Sequence, residues 1–310
     1  MREVQNFRFP SAREGFSIYT QVWTPKGPPR GVIQIAHGIA EHIGRYGEVA
    51  EFLAEHGFLV CGGDHLGHGK TVEDGIYGSF APENGWELAV QDIHSLRKRM
   101  GARHPGLPYV LLGHSMGSFL VRTYLIQYPG TLDGAVLSGT GQEAAPLIAL
   151  GQALTRLELR RLGTLGISPL VDALSLGAYN RRFRPNRTCA DWVSSDPAAV
   201  DAYLADPLCR PKPTVSLFRD LLGGLQQIAN PNELRNMDPN LPILFLSGNQ
   251  DPVGGMGKGV RAVVHLFQGA GCRDLTLKLY PGGRHEMFHE VNQQEVFGDL
   301  LAWLRDKLPS

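Results

Sequence analysis

Residues 109–125 read YVLLGHSMGSFLVRTYL, an apolar run, a glycine-flanked turn and a second apolar stretch at helical spacing. The run predicts a short buried strand and the second stretch predicts a helix. Between them, residues 113–117 match G-x-S-x-G, in which glycine permits a turn too tight for side chains. The turn would hold the Ser115 hydroxyl at a helix N-terminus, where amide groups favour negative charge. We therefore expect Ser115 to be a catalytic nucleophile; the alternative is an ordinary glycine-rich strand–helix turn.

Strands and helices alternate on both sides of this turn. Residues 3–9 and 16–23 alternate apolar and polar positions and predict an antiparallel pair. Further buried strands are predicted at 31–36, 58–61, 135–138, 241–246 and 275–280, and helices at 45–56, 86–103, 257–270 and 291–307. This alternation predicts an α/β fold with a mostly parallel central sheet and helices on both faces.

The alternation is interrupted once, in the middle of the chain. Residues 141–228 contain helical stretches and proline-rich loops in place of strands. We predict that they are inserted into one core, which is formed by residues 1–140 and 229–310. Neither an internal repeat nor a low-complexity tract interrupts the pattern.

Composition excludes several classes of protein. The 310 residues include 30 basic and 30 acidic side chains, so nothing suggests a nucleic-acid partner. The four cysteines are scattered and contain no C-x-x-C pair, which favours reduced thiols in a cytoplasmic protein. The N-terminus lacks a signal-peptide pattern, and no run reaches the roughly 18 apolar residues of a spanning helix.

A nucleophilic serine needs a base, and the base needs an acid that orients it. His285 follows the last predicted strand and a glycine pair, and it is our candidate base, with His289 as second choice. Asp251 follows the strand at 241–246 and is our candidate acid. Asp238 precedes that strand and therefore lies at the wrong end of the sheet. The alternatives are a surface histidine and a turn aspartate before proline.

The remaining expectations concern the oxyanion and metals. We expect the backbone N–H groups of Met116 and Ile39 to stabilise the tetrahedral intermediate, because they follow the nucleophile and the first buried strand. His65 and His68 have a spacing that metal ligands can share, but no further ligand cluster accompanies them. We expect Asp64 to bind loop amides there, and we expect no metal and no cofactor.

Four motifs together resemble the monoacylglycerol lipase and lysophospholipase group of the α/β-hydrolases, which is related to the serine aminopeptidase-like hydrolases. They are HGIAEHIGRY at 37–46, DHLGHG at 64–69, GHSMG at 113–117 and YPGGRHE at 280–286. The resemblance covers almost the whole chain and is weakest in residues 141–228. It implies the α/β-hydrolase fold, Ser115 as nucleophile, Asp251 as acid, His285 as base, Ile39 and Met116 as oxyanion donors, and a cap inserted after residue 138.

Residues 141–228 leave the substrate open. Residues 144–163 predict an amphipathic helix that could line an acyl-chain tunnel, rest on a lipid surface, or simply pack on the core. Its stripe comprises Leu147, Ile148, Leu150, Leu154 and Leu157. Residues 144–190 hold seven arginines and two acidic residues, which could attract anionic lipid, although a solvated surface explains them as well.

We expect a serine hydrolase that cleaves carboxylic esters of lipids. A monoacylglycerol is the first candidate substrate, and a lysophospholipid or another carboxylic ester is the next. An amide or peptide hydrolase of the same fold and a non-catalytic binding protein of that fold are the alternatives. The expected partner is a lipid ester, with transient membrane or micelle contact through the cap. Acyl length, headgroup, oligomeric state and cap movement are not determined by the sequence.

Overall fold

A computed structural model describes residues 4–308. Glu3 of the first predicted strand and the outermost residues of the two predicted core segments lie outside that range. All eight strands belong to one sheet, in the order β1-β2-β4-β3-β5-β6-β7-β8. They are β1 Val4–Pro10, β2 Ser17–Trp23, β3 Val32–Ala36, β4 Leu59–Gly63, β5 Tyr109–His114, β6 Gly134–Ser138, β7 Ile243–Gly248 and β8 Leu275–Tyr280.

The predicted antiparallel pair is confirmed as β1 and β2, and β2 also pairs antiparallel with β4. The remaining neighbours, from β4 through β3 to β8, pair in parallel. Strands β3, β5, β6 and β7 are buried along their whole length, as expected for parallel strands covered on both faces. The sheet is therefore mostly parallel, as predicted.

Helices cover both faces of the sheet. In chain order they are α1 Gly47–Glu55, α2 Gly85–Arg103, α3 Met116–Gln127, α4 Ala145–Leu162, α5 Pro169–Leu174, α6 Leu176–Tyr179, α7 Pro197–Ala205, α8 Val215–Gln227, α9 Pro231–Leu234, α10 Lys258–Gly269 and α11 Gln293–Lys307. Helices α1 and α11 pack on one face, whereas α2, α3 and α10 share the core of the other. The predicted start of α1 is instead a short 3-10 turn at Ile43–Tyr46.

Helices α4 to α9 lie between β6 and β7, where the sequence predicts an insertion. We call residues 141–228 the middle segment. Helix α4 matches its prediction, but its leucines do not pack on the core: Leu147, Leu150 and Leu157 are 55%, 66% and 60% exposed. Only Ile148 of the predicted stripe is buried. The apolar stripe is therefore mainly a solvent-facing surface.

The turn between β5 and α3 depends on the two glycines that flank it. A Cβ atom on Gly117 would lie 2.0 Å from the carbonyl oxygen of Ala36 in β3, and one on Gly113 would lie 2.4 Å from Gly117 O. Both contacts are with backbone, which cannot move aside without displacing β3 in the first case and the start of α3 in the second. Between them Ser115 has φ 51°, in the left-handed region that residues other than glycine rarely adopt.

We predict that Gly117→Ala destabilises the fold by about 2–3 kcal/mol, because overpacking against a fixed backbone has a cost of that order. The measurement is urea denaturation of the purified variant. Gly298→Ala, in α11 where an added Cβ meets nothing within 4 Å, is the matched control. The control should gain roughly 0.5–1 kcal/mol of stability from helix propensity. Equal stability changes in the two variants would contradict the account of the turn.

Candidate active site

The candidate residues meet at the carboxyl ends of the parallel strands. Ser115 follows β5, Ile39 lies in the loop after β3, and Asp251 and His285 follow β7 and β8. Three of these residues line one cavity: Ser115, Ile39 and His285. Asp251 does not line it and contacts His285 through Nδ1. Loops that are distant in sequence converge here because parallel strands present all their carboxyl ends at the same edge.

Asp251 and His285 form a buried pair. His285 Nδ1 donates to Asp251 Oδ1 over 3.0 Å, and the same oxygen accepts the Val253 N–H at 2.9 Å. Burial alone would lower the pKa of His285, but the Asp251 charge and hydrogen bond, aided by Glu286 and Glu41, raise it above its ordinary value of 6.5. This contact fixes the imidazole with Nε2 turned away from Asp251. Among residues 4–308, no hydrogen bond joins His285 to the Ser115 hydroxyl.

The two expected oxyanion donors both lie beside Ser115. Within residues 4–308, the N–H groups of Ile39 and Met116 donate to no backbone oxygen. The loop that carries Ile39 is held by its neighbours: Gly38 N–H donates to the Glu41 carboxylate, and His37 Nδ1 donates to Gly38 O. This loop lies against the elbow, since a Cβ on Gly38 would lie 3.1 Å from Ser115 Cβ.

The histidines and aspartates that were weaker candidates from the sequence lie outside the Asp251–His285 pair. His289 pairs with Glu286 at 3.1 Å and donates to the Arg45 carbonyl, away from Asp251. Asp238 precedes β7 and accepts the Asn240 N–H. Asp64 accepts the N–H groups of Ile43 and Lys70, as predicted. His65 and His68 are buried as well, and burial lowers their pKa values to about 3 and about 4.

Sequence reasoning missed a buried ion-pair network that joins two of these loops. Arg45 donates to both carboxylate oxygens of Glu286 at 2.6 Å and to Glu41 at 3.0 Å. Glu41 also accepts from Tyr46 OH at 2.8 Å. Arg45 thus connects the loop after β3 to the loop that holds His285. The available signal was the i,i+4 spacing of Glu41 and Arg45 and the position of Glu286 next to the candidate base.

The middle segment supplies the outer wall of the cavity. Trp192 lies over His285 with ring centroids 4.9 Å apart, and Leu176, Val193 and Tyr203 complete that wall. The cavity has room for about 20 Å³, close to one water molecule. A wider surface cleft of about 450 Å³ lies between α2 and α8 and is lined by none of the candidates. An acyl chain cannot enter the cavity unless the wall moves.

Known proteins are similar to this chain along most of its length. The family model described as "Serine aminopeptidase, S33" matches residues 27–292. The monoacylglycerol lipase of Mycolicibacterium smegmatis is 34% identical over 94% of this chain and 93% of its own, and the human monoglyceride lipase is 28% identical over 95% and 88%. The crystal structure of a carboxyl esterase from Bacillus coagulans in complex with glycerol superposes with a TM-score of 0.91 and 30% identity, covering all of both chains.

The fold and the arrangement of loops define an α/β-hydrolase, as the sequence predicted. The chain belongs to the serine aminopeptidase S33 family, and within it to the monoacylglycerol lipase-like group. It is accordingly a carboxylic ester hydrolase.

We predict that Asp251→Asn lowers the pKa of His285 below its value in the unaltered protein. The burial that lowers this pKa remains in the variant, whereas the charge of Asp251 that raises it is lost. The measurement is an NMR titration of the imidazole resonances. Asp238→Asn, at the opposite end of the sheet, is the control and should leave the titration unchanged. An unaltered His285 titration in the Asp251 variant would contradict the proposed pairing.

Proposed function

We propose that the chain hydrolyses monoacylglycerols through an acyl-enzyme on Ser115. The observation that carries the proposal is the convergence of Ser115 and the Asp251–His285 pair on one cavity with an apolar outer wall. The names of the relatives favour a monoacylglycerol as the substrate. A lysophospholipid or a simpler carboxylic ester is the next candidate.

In this proposal Ser115 Oγ attacks the ester carbonyl while His285 Nε2 accepts its proton. Asp251 holds Nδ1–H and stabilises the imidazolium. The oxyanion binds the N–H groups of Ile39 and Met116, each donor contributing about 3–4 kcal/mol. His285 then protonates the departing glycerol oxygen, and water attacks the acyl-enzyme with the same base. The role of each residue rests on its position in the cavity and on the residue order Ser, Asp, His along the chain.

The charges at the site favour an ester over a peptide with a free amino terminus. Such a substrate needs an unpaired carboxylate to bind its ammonium group. The acidic residues that line the cavity are Glu41 and Glu286, and both are paired with Arg45. The wall that the middle segment contributes is aliphatic and aromatic, which suits an acyl chain.

We further propose that residues 141–228 are a cap that opens at a lipid surface. Seven of the eight most exposed large apolar side chains of residues 4–308 fall between 147 and 174: Leu147, Leu150, Leu157, Leu165, Ile167, Leu170 and Leu174. The seven arginines of residues 144–190 are all exposed. Apolar and basic groups side by side favour adsorption to an anionic lipid surface. No helix of the described residues is both long and apolar enough to cross a bilayer.

Ser115→Ala tests the proposed chemistry. We expect the folded variant to lose monoacylglycerol hydrolysis by at least about 10⁴-fold, because neither base nor acid can replace the nucleophile. The assay compares a monoacylglycerol, a lysophosphatidylcholine and an aminoacyl anilide with wild type and variant. Ser95→Ala, at a half-buried position of α2, is the control. Full activity of Ser115→Ala, or cleavage of the anilide alone by wild type, would contradict the proposal.

The double variant Leu150→Gln/Leu157→Gln tests the lipid contact. We expect its binding to anionic phospholipid vesicles to fall at least about tenfold, because burying a leucine stabilises binding by about 1.5–3 kcal/mol. Co-sedimentation measures the bound fraction. Val291→Gln removes another exposed apolar side chain, one far from α4 in sequence and 72% exposed, and serves as the control. Equal binding of all three proteins would exclude α4 as the contact.

A further inference from the structure

Three metal-ligating side chains meet where the middle segment touches the loop after β3. His42 Nε2 lies 2.9 Å from Asp206 Oδ2, and the ligand atoms of His42, Asp206 and Cys209 all lie within 4.8 Å of one another. Cys209 is buried, and Asp206 lines a surface cleft of about 380 Å³ that provides a route from solvent. None of the three residues takes part in the proposed hydrolysis.

We propose that His42, Asp206 and Cys209 form an inhibitory site for a soft divalent cation of the Zn²⁺ class. Zinc takes nitrogen, carboxylate and thiolate ligands at about 2.0–2.3 Å, which in a tetrahedron places them about 3.3–3.6 Å apart. Binding therefore requires the His42–Asp206 contact to lengthen slightly and Cys209 Sγ to approach by no more than about 1.2 Å. Water completes the fourth position on the side of the cleft.

The surrounding charges favour a cation. The charged groups that act on Cys209 are the guanidinium of Arg45 and the carboxylates of Glu41, Asp206 and Glu286, which leaves a negative balance. Arg45 is already paired with Glu41 and Glu286. A divalent ion bound at Cys209 would neutralise that excess.

Binding has a defined proton balance. The thiol of Cys209 loses its proton to solvent and binds as thiolate. In the apo protein His42 Nδ1 accepts the Gly44 N–H at 3.2 Å, so Nε2 carries the proton that faces Asp206. The metal takes the Nε2 lone pair, the proton moves to Nδ1, and the Gly44 hydrogen bond is lost. The bond is long and exposed, so its loss has a small cost.

The position of the site connects it to catalysis. His42 adjoins Glu41, which holds Gly38 beside Ser115, and Asp206 follows Tyr203, which lines the cavity wall. A metal bound to all three ligands would join the middle segment to the core across the wall that must move to admit substrate. We expect occupation to inhibit hydrolysis by holding the cavity closed. This consequence rests on the proposed function, whereas metal binding itself does not.

Binding is tested first, without substrate. Co²⁺ added to the reduced protein should give thiolate-to-cobalt charge-transfer absorption, and Zn²⁺ should displace it. The absorption should persist in Cys189→Ser, which removes an exposed cysteine outside the cluster, and disappear in Cys209→Ser. Asp206→Asn, which preserves the shape of the side chain, should weaken Zn²⁺ binding at least about tenfold. Thermal melting verifies that each variant is folded. Absence of the band, or its retention in Cys209→Ser, would overturn the site.

Inhibition is tested second, by titrating Zn²⁺ into the ester hydrolysis assay. Wild type and Cys189→Ser should be inhibited in the same concentration range, and Asp206→Asn should need at least about tenfold more Zn²⁺. Equal inhibition of Asp206→Asn would show that zinc acts elsewhere and would overturn the regulatory role. If the protein binds Co²⁺ through Cys209 but hydrolyses no ester, the proposed function is refuted and the metal site is retained.

Discussion

The close approach of Gly117 to the backbone of β3 is the constraint on which the site depends. It allows α3 to begin directly beside the sheet, and it leaves Ser115 at φ 51° with its side chain directed into the cavity. It also sets the distance between the turn and the loop after β3, where Gly38 and Ile39 lie. A residue with a side chain at position 117 would separate β3 from α3. Ser115 would then move away from the loop after β3 and from the loop that holds His285. The strained backbone conformation of Ser115 is therefore maintained by the close contact between the backbones of β3 and α3.

A second constraint is the ion-pair network of Arg45. It joins the loop after β3 to the loop after β8, which the sheet alone brings only into proximity. Arg45 is buried between Glu41 and Glu286, and a buried cation is tolerated only when its partners are close and well oriented. Because Glu41 also binds Gly38 N–H and Glu286 adjoins His285, this one guanidinium fixes the spacing of the loop after β3 relative to the candidate base. The middle segment then covers these loops with Trp192 and Tyr203. The result is a closed cavity that loops of the core line on one side and the middle segment lines on the other.

The sequence predicted the elements whose signal is local. The buried apolar strands, the glycines at 113 and 117, and the placement of Asp251 and His285 after strands follow from periodicity and residue order. The Arg45 network was not predicted, because Arg45 and Glu286 are 241 positions apart and nothing in the sequence pairs the two motifs that contain them. The direction of the α4 stripe was also open, since amphipathic spacing identifies an apolar face without saying what covers it. For the same reason the wall residues of the middle segment, such as Trp192 and Tyr203, could be found only in three dimensions.

A crystal structure of the protein treated with a phosphonate analogue of a monoacylglycerol would identify the nucleophile and the oxyanion donors in one experiment. We expect a covalent bond from Ser115 Oγ to phosphorus, with the phosphonyl oxygen about 2.7–3.1 Å from both the Ile39 and Met116 N–H groups. The alkyl chain should lie against the wall formed by Leu176 and Trp192. Phosphorus bound to another residue, or an oxygen that neither N–H contacts, would contradict this expectation.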